Sequence, residues 1–414
     1  MHLTTTILSF TLLLLLASAH AEDVDHDHLR LTPDPDLTLS ELVTRTLARA
    51  PSAGELESQA AFAAAWDARA SNWLSAAPAL SVHYRTDRFN ADDGLEEYEA
   101  GLTLPLWRWG EKSATTDFAS SLDRETATAR AQLRWEMAGA VRQGLWQIAA
   151  AEIDQAMAKR SAELASRIKV KVERAHDLGD TALGDVLIAR SNHLQAANAL
   201  IGKEAALLDA ERSFAILTQD TVRPEFKAED LSKLTEIPAE HVLITWLNSQ
   251  VTRASAARNR IEKSSRAGPS LLLGPKRERG PNDAERYDSL GLTLSFPFAT
   301  SAHAAPEIAA ANRALAGIVA ERDRHLRRLQ LMFHEAAHEL MVVTEQLAAA
   351  TESAALAKRQ IEMGNRAFEA GELNLLNLLQ IQNTALAAER DAALLGVARN
   401  RTIALYNQAV GDTP

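Results

Sequence analysis

The stretch that decides the fold is Glu96-Glu97-Tyr98-Glu99-Ala100-Gly101-Leu102-Thr103-Leu104-Pro105-Leu106. Tyr98, Ala100, Leu102, Leu104 and Leu106 share one face of a period-two pattern, and Glu97, Glu99, Gly101 and Thr103 share the other. About ten alternating residues are the length of one tilted strand crossing a bilayer. Trp107 and Trp109 follow at once, where interfacial aromatics would sit. Beyond Pro105 there is no proline until Pro224. Proline costs about 3 kcal/mol inside a helix, so this run predicts very long helices.

The same text is written twice. Gly101-Leu102-Thr103-Leu104 returns as Gly291-Leu292-Thr293-Leu294, and a second proline-free run spans 307–413. Farther on, Arg174-Ala175-His176-Asp177-Leu178-Gly179-Asp180 is matched by Arg366-Ala367-Phe368-Glu369-Ala370-Gly371-Glu372. A repeat this long implies a duplicated, domain-sized unit and not a solenoid of short modules.

The second copy offers Leu290, Leu292, Leu294, Phe296 and Phe298 alternating with Ser289, Gly291, Thr293 and Ser295. Upstream of the first strand, Leu80, Val82 and Tyr84 alternate with Ser81, His83 and Arg85, so His83, Arg85 and Glu99 fall on a polar, lumen-like face. A fourth strand at about 268–277 is the weakest, since Pro269 and Pro275 flank its short apolar core. Alternation alone also fits soluble hairpins packed on helices. Position argues otherwise, because a hairpin between very long helices has little local core to lie on. Four strands cannot close a barrel, and open edges are not tolerated in lipid. Single-chain barrels begin at about eight strands, so several chains would have to share one; three would give twelve.

The expected organisation is a signal peptide at 1–21, a flexible segment at 22–37, a first repeat at 38–218, a linker at 219–237 and a second repeat at 238–414. Each repeat holds a shorter helix, a β-hairpin (about 78–106 and 268–298) and a long helical hairpin turning at about 176–184 and 368–375. The fold class is mainly α with a small β part. The signal reading rests on the apolar run Ile7 to Leu16 and on Ala19-His20-Ala21. The chain contains no cysteine, so it has no site for a lipoprotein-type anchor and needs no disulfide. A net charge of −11 argues against a nucleic-acid partner.

Taken together, the chain resembles the TolC family of outer-membrane efflux proteins. The resemblance rests on the duplicated layout, on Leu104-Pro105-Leu106-Trp107-Arg108-Trp109-Gly110, and on the C-terminal copy. There Gly371 precedes Leu375-Leu376-Asn377-Leu378-Leu379-Gln380, and the last helix ends Leu405-Tyr406-Asn407-Gln408-Ala409-Val410-Gly411. It implies a homotrimer with a twelve-stranded outer-membrane barrel and a periplasmic α-barrel. The trimer would dock on an adaptor protein and, through it, an inner-membrane pump. It makes the protein a passive exit duct for efflux or type I secretion, with no cofactor and no catalytic residue. Trp107, Trp109, Phe296 and Phe298 become membrane-interface aromatics. Asp177, Asp180, Asp185, Glu369 and Glu372, with neutral Asn377 and Gln380, become candidates for a gate or acidic ring. Arg174, Leu178, Gly179, Leu183, Arg366, Gly371, Leu373 and Leu375 become the adaptor-contacting tips, with the four leucines expected to be exposed. Gly-acid pairs also end one helix and start the next, which is a sufficient reason for them by itself.

Two further motifs need weighing. His334-Glu335-Ala336-Ala337-His338 matches the zinc-binding HExxH pattern, with Glu362 downstream as a third ligand. A chance match in a helix rich in His and Glu is the expected explanation, since the first repeat has nothing similar. Asp25-His26-Asp27-His28 is a weak metal candidate that gains interest from the cation-efflux members of the family. The rival readings are a soluble periplasmic coiled-coil adaptor or scaffold and, least of all, a zinc metallopeptidase.

Overall fold

The computed structural model describes residues 30–90, 93–280, 285–298 and 301–414. The signal segment and Asp25, His26, Asp27 and His28 lie outside the described residues. In chain order the elements are β1 (Thr32–Asp34), α1 (Leu39–Arg49), α2 (Ser52–Ser71), β2 (Ala79–Thr86), β3 (Glu96–Pro105), α3 (Glu111–Asp177) and α4 (Leu183–Thr218). The second half continues with β4 (Val222–Pro224), α5 (Val242–Ser264), β5 (Ser270–Arg279), β6 (Arg286–Ser295), α6 (Ser301–Glu369) and α7 (Leu375–Val410).

The two proline-free runs form α3–α4 and α6–α7. At 67 and 69 residues, α3 and α6 are each about 100 Å long. The second long helix starts at Ser301, five residues before Pro306 and so ahead of the proline-free run. The proline therefore removes only a bond near the helix start, where loss is least costly. Both hairpins turn in the same way. Gly179 (φ 87°) and Gly371 (φ 75°) occupy the left-handed region. Asp180 N–H donates to Ala175 O and Glu372 N–H to Ala367 O, both at 2.9 Å, closing a Schellman turn in each repeat.

Near the turns, α4 packs on α3, α3 on α7 and α7 on α6; nearer the sheet the neighbours are α2, α3, α5 and α6. Small residues allow close approach. A Cβ at Gly144 would lie 2.7 Å from Phe214, and one at Gly139 would lie 3.0 Å from Gln408. The largest core unites Leu42 and Val43 with Val141, Ile148 and Phe214. Leu31 and Leu37 belong to it too, and β1 pairs in parallel with β4. The segment expected to be flexible at 22–37 is therefore anchored over residues 31–37, because two buried leucines fasten it to the helices. The connecting segment at 219–237 likewise carries a strand and packs Phe226 on Trp146.

Strands β2, β3, β5 and β6 form one antiparallel sheet in that order, and among the described residues its outer strands β2 and β6 have no neighbour on their far side. The weakest expected strand is β5, which occupies an inner position. Its pairing to β3 runs through 270–273 and 276–279 and is interrupted at Gly274 and Pro275. Proline has no N–H to give there. A Cβ at Gly274 would fall 1.8 Å from Ala100 O, so only glycine allows this backbone contact.

Candidate functional site

The sheet register sorts side chains into two chemistries. One face carries the cross-strand rows Leu104–Leu271–Leu294 and Leu80–Leu102–Leu273–Leu292, then Val82–Ala100 and Pro275–Leu290. The outer-strand members of these rows lie open, with Leu80, Val82 and Leu290 76%, 79% and 80% exposed, while Ala100, Leu104, Leu271 and Leu273 on the inner strands are half-buried. An apolar face this open is unusual for a chain surrounded by water. The other face carries His83–Glu99–Lys276–Ser289 and Arg85–Glu97–Glu278–Tyr287. Lys276 bridges Glu97 at 2.9 Å and Glu278 at 2.6 Å, while Arg85 stands 3.9 Å from Glu97. His83, Arg85 and Glu99 thus share the polar face. At the turn end of the apolar face, Arg277 and Asp288 neutralise each other through two hydrogen bonds of 2.7 and 2.9 Å.

Aromatic side chains bracket the sheet. Trp109 and Phe298 are fully exposed and Phe296 is largely so, all at the helix end of the strands. Trp107 is half-buried and donates Nε1–H to Asn72 O at 3.0 Å, so it fastens the strand exit to the α2 exit. Sequence reasoning missed Trp73, exposed beside this group, and Phe89 and Tyr287, exposed at the opposite end. Their position next to strand ends was the available signal.

At the far end of the molecule the two hairpin tips pack on each other. Ile168, Val172, Val186, Leu375, Leu378 and Leu379 form a small core between them. Leu375 is buried here, which corrects the expectation of an exposed residue: it is the first residue of α7 and points at α3. Leu373 is half-buried for the same reason. The exposed apolar side chains are Leu178, Leu183, Leu187 and Leu376. A cleft of about 650 Å³ between the tips is lined by Asp180, Asp185, Glu369, Gly371, Leu373 and Leu375, among others. The structure brings these six together. Asp177, Glu372, Asn377 and Gln380 are exposed outside that lining, as are Arg174, Leu178, Gly179, Leu183 and Arg366. Glu369 pairs with Lys171 at 3.0 Å, and Asn377 N–H donates to the Asn374 side chain at 2.9 Å.

Above the tips, Asp154 on α3 holds both hairpins. It accepts from Lys203 of α4 at 2.6 Å and from Arg390 of α7 at 2.7 Å. Burial would raise its carboxyl, but these two bonds outweigh it and keep the group below the usual carboxylate range. Farther up, buried Arg142 donates twice to Glu229, at 2.7 and 2.8 Å, and once to Gln408 at 2.7 Å. Trp135 and Gln408 exchange two more bonds, and Asn407 bonds Glu229 and Asp230. This hub explains Asn407-Gln408 at the chain end. No single sequence window could reveal it, because its members lie up to 273 residues apart.

The HExxH motif gathers no third ligand among the described residues. His334, Glu335 and His338 are exposed and Ala336 is buried, so the histidines face away from the packed side of α6. Glu362 lies 24 residues farther along the same helix, about 36 Å away, beyond the reach of a shared ligand. Among the described residues no group of three His, Cys, Asp or Glu side chains is placed to hold a metal. No helix among them is long and apolar enough to cross a membrane.

No protein-family model matches the chain, and no curated protein matches it. Solved structures do. A membrane protein from Pseudomonas aeruginosa superposes with a TM-score of 0.71 at 17% identity, covering 90% of this chain and 93% of that one. The outer membrane protein VceC from Vibrio cholerae gives 0.71 at 13%, covering 91% and 97%. The Campylobacter jejuni CmeC outer membrane channel gives 0.72 at 16%, covering 91% and 86%. Identities this low carry the architecture alone, and the match runs nearly end to end in both partners. The chain has the fold of the TolC-like outer-membrane channels.

Proposed function

We propose that the protein is the outer-membrane exit duct of a tripartite efflux or type I secretion system. Three copies complete a twelve-stranded barrel, and a partner pump supplies the energy. The observation that carries this reading is the four-stranded sheet, apolar on one face and charged on the other, with free edges at β2 and β6. Each free edge presents unpaired backbone groups that lipid cannot satisfy. Pairing β2 of one copy with β6 of the next removes every edge.

The helices support the same arithmetic. On α4, Leu187, Leu194 and Ile201 recur every seven residues and are 58–67% exposed. On α6, Met341, Leu356 and Met363 are exposed as well. These two helices are the outer members of the layer near the tips, so a neighbouring copy would cover both stripes. The tips, with their leucines ringed by carboxylates, are the proposed contact for a periplasmic adaptor, and the acids around the cleft are the proposed gate. Selectivity then comes from duct width and charged rings, with no chemistry at the protein.

The test is fractionation followed by reconstitution. The mature protein should stay in the Sarkosyl-insoluble outer-membrane fraction, run as a trimer in detergent and form ion-conducting pores in planar bilayers. A soluble, non-conducting monomer would end this reading and favour a periplasmic scaffold.

A further inference from the structure

Where helices meet sheet there is a second polar pocket, of about 390 Å³. It is walled by the end of α2, the start of α3 and residues 264–268 ahead of β5. Three arginines line it: Arg69, Arg260 and Arg266. None of them is hydrogen-bonded or ion-paired to a carboxylate among the described residues. Arg260 instead lies against two rings, 4.6 Å from the centre of Trp66 and 5.2 Å from that of Phe118. Arg69 stands 5.2 Å from Trp66 as well.

This arrangement leaves charge and donors unanswered. Arg260 Nε is buried with no partner, and so is Ser265 Oγ. Burial, and then the like charge of Arg69, makes Arg260 easier to deprotonate than an ordinary arginine, and Glu111 only partly offsets them. Two acids reach the pocket, Glu111 and Glu307, against three cations. Glu111 is engaged, since it accepts the Arg108 backbone N–H at 3.1 Å. Arg108 in turn donates to Lys263 O at 3.0 Å, covering a carbonyl at the end of α5 that would repel an anion. Buried donors without partners are rare in folded proteins and call for an explanation.

We infer that this pocket binds a phosphate group, held from within by Arg260 and Ser265 and at its mouth by the exposed Arg69 and Arg266. Guanidinium groups match phosphate oxygens in geometry and charge. The pocket sits at the level of the strand ends, close in sequence to the exposed Trp73 and Trp109. If the strands cross the membrane as proposed above, that level is the headgroup layer, and the phosphate is that of a phospholipid. Free phosphate is the other source of the same chemistry.

Calorimetry on the full-length protein in phosphate-free detergent buffer at fixed ionic strength tests this. The probes are dihexanoyl-phosphatidylglycerol below its micelle concentration, inorganic phosphate, and dihexanoylglycerol as the phosphate-free control. The phospholipid should bind and the diacylglycerol should not. Arg260→Met, which keeps an apolar stem between the rings, should weaken binding roughly tenfold. The exposed Arg266→Gln should weaken it about threefold without a folding risk. Phosphate binding as tight as the phospholipid would support the site and assign it to the free anion. No binding by either probe to folded wild type, or unchanged affinity in Arg266→Gln and in folded Arg260→Met, overturns the inference. Pore conductance is read separately on the same preparations, so a failed duct with intact phosphate binding is told apart from a failed pocket.

Discussion

His241 is nearly fully buried, 5.4 Å from the ring of Trp135 and pressed against Gly411, where any Cβ would come within 2.7 Å. Its Nδ1 accepts the Leu243 N–H and caps α5, while Nε2 has no partner. Burial lowers its pKa below the ordinary 6.5, and the nearby Gln408 backbone offsets this only in part. The sign follows. Below pH 6.5 the unfolded chain takes up a proton that the folded one refuses, so stability is complete above that value and falls as pH drops through it. His241→Asn keeps a capping oxygen and removes the titration. Urea melts between pH 7.5 and 5.5 should therefore show a shallower acid-side loss in this variant than in wild type. Equal slopes would mean that the imidazole is not the group responsible.

The elements divide into those their own residues announce and those they do not. Strands β2, β3 and β6, the long helices and the two turns were legible, because each needs only a local signal: alternation, absence of proline, or glycine before an acid. The place of β5 at the sheet interior was not, since Pro275 argues against it locally and only the backbone of β3 lying against Gly274 makes sense of the pair. The anchoring of residues 31–37, the burial of Leu375 and the Arg142 hub were hidden for one common reason. All depend on partners from distant parts of the chain. Gly274→Val should force β3 and β5 apart and abolish the trimer proposed above. Gly291→Ala should leave the trimer intact, since the nearest atom to its added Cβ is 3.7 Å away. Equal trimer yield from both variants would remove Gly274 from its proposed role.

At the scale of the molecule the two turns are the natural place to test the duct reading. Gly179 and Gly371 have no atoms within 4 Å of an added Cβ, so a large side chain there projects into open space. Its cost to folding is the strain of a left-handed residue, about 1–2 kcal/mol. Gly179→Trp or Gly371→Trp should therefore insert in the outer membrane and conduct in planar bilayers, yet lose export in cells because the adaptor no longer docks. Normal export by both would separate the tips from the docking surface. The free rims at β2 and β6 carry a genetic consequence. If three copies share one pore as proposed, that pore is vulnerable to sabotage from within. Co-expressing wild type with an equal amount of a subunit that can join but not complete the ring leaves about one assembly in eight intact. A mutation of that kind should behave as dominant, and toxicant sensitivity should appear while half of the polypeptide is still sound.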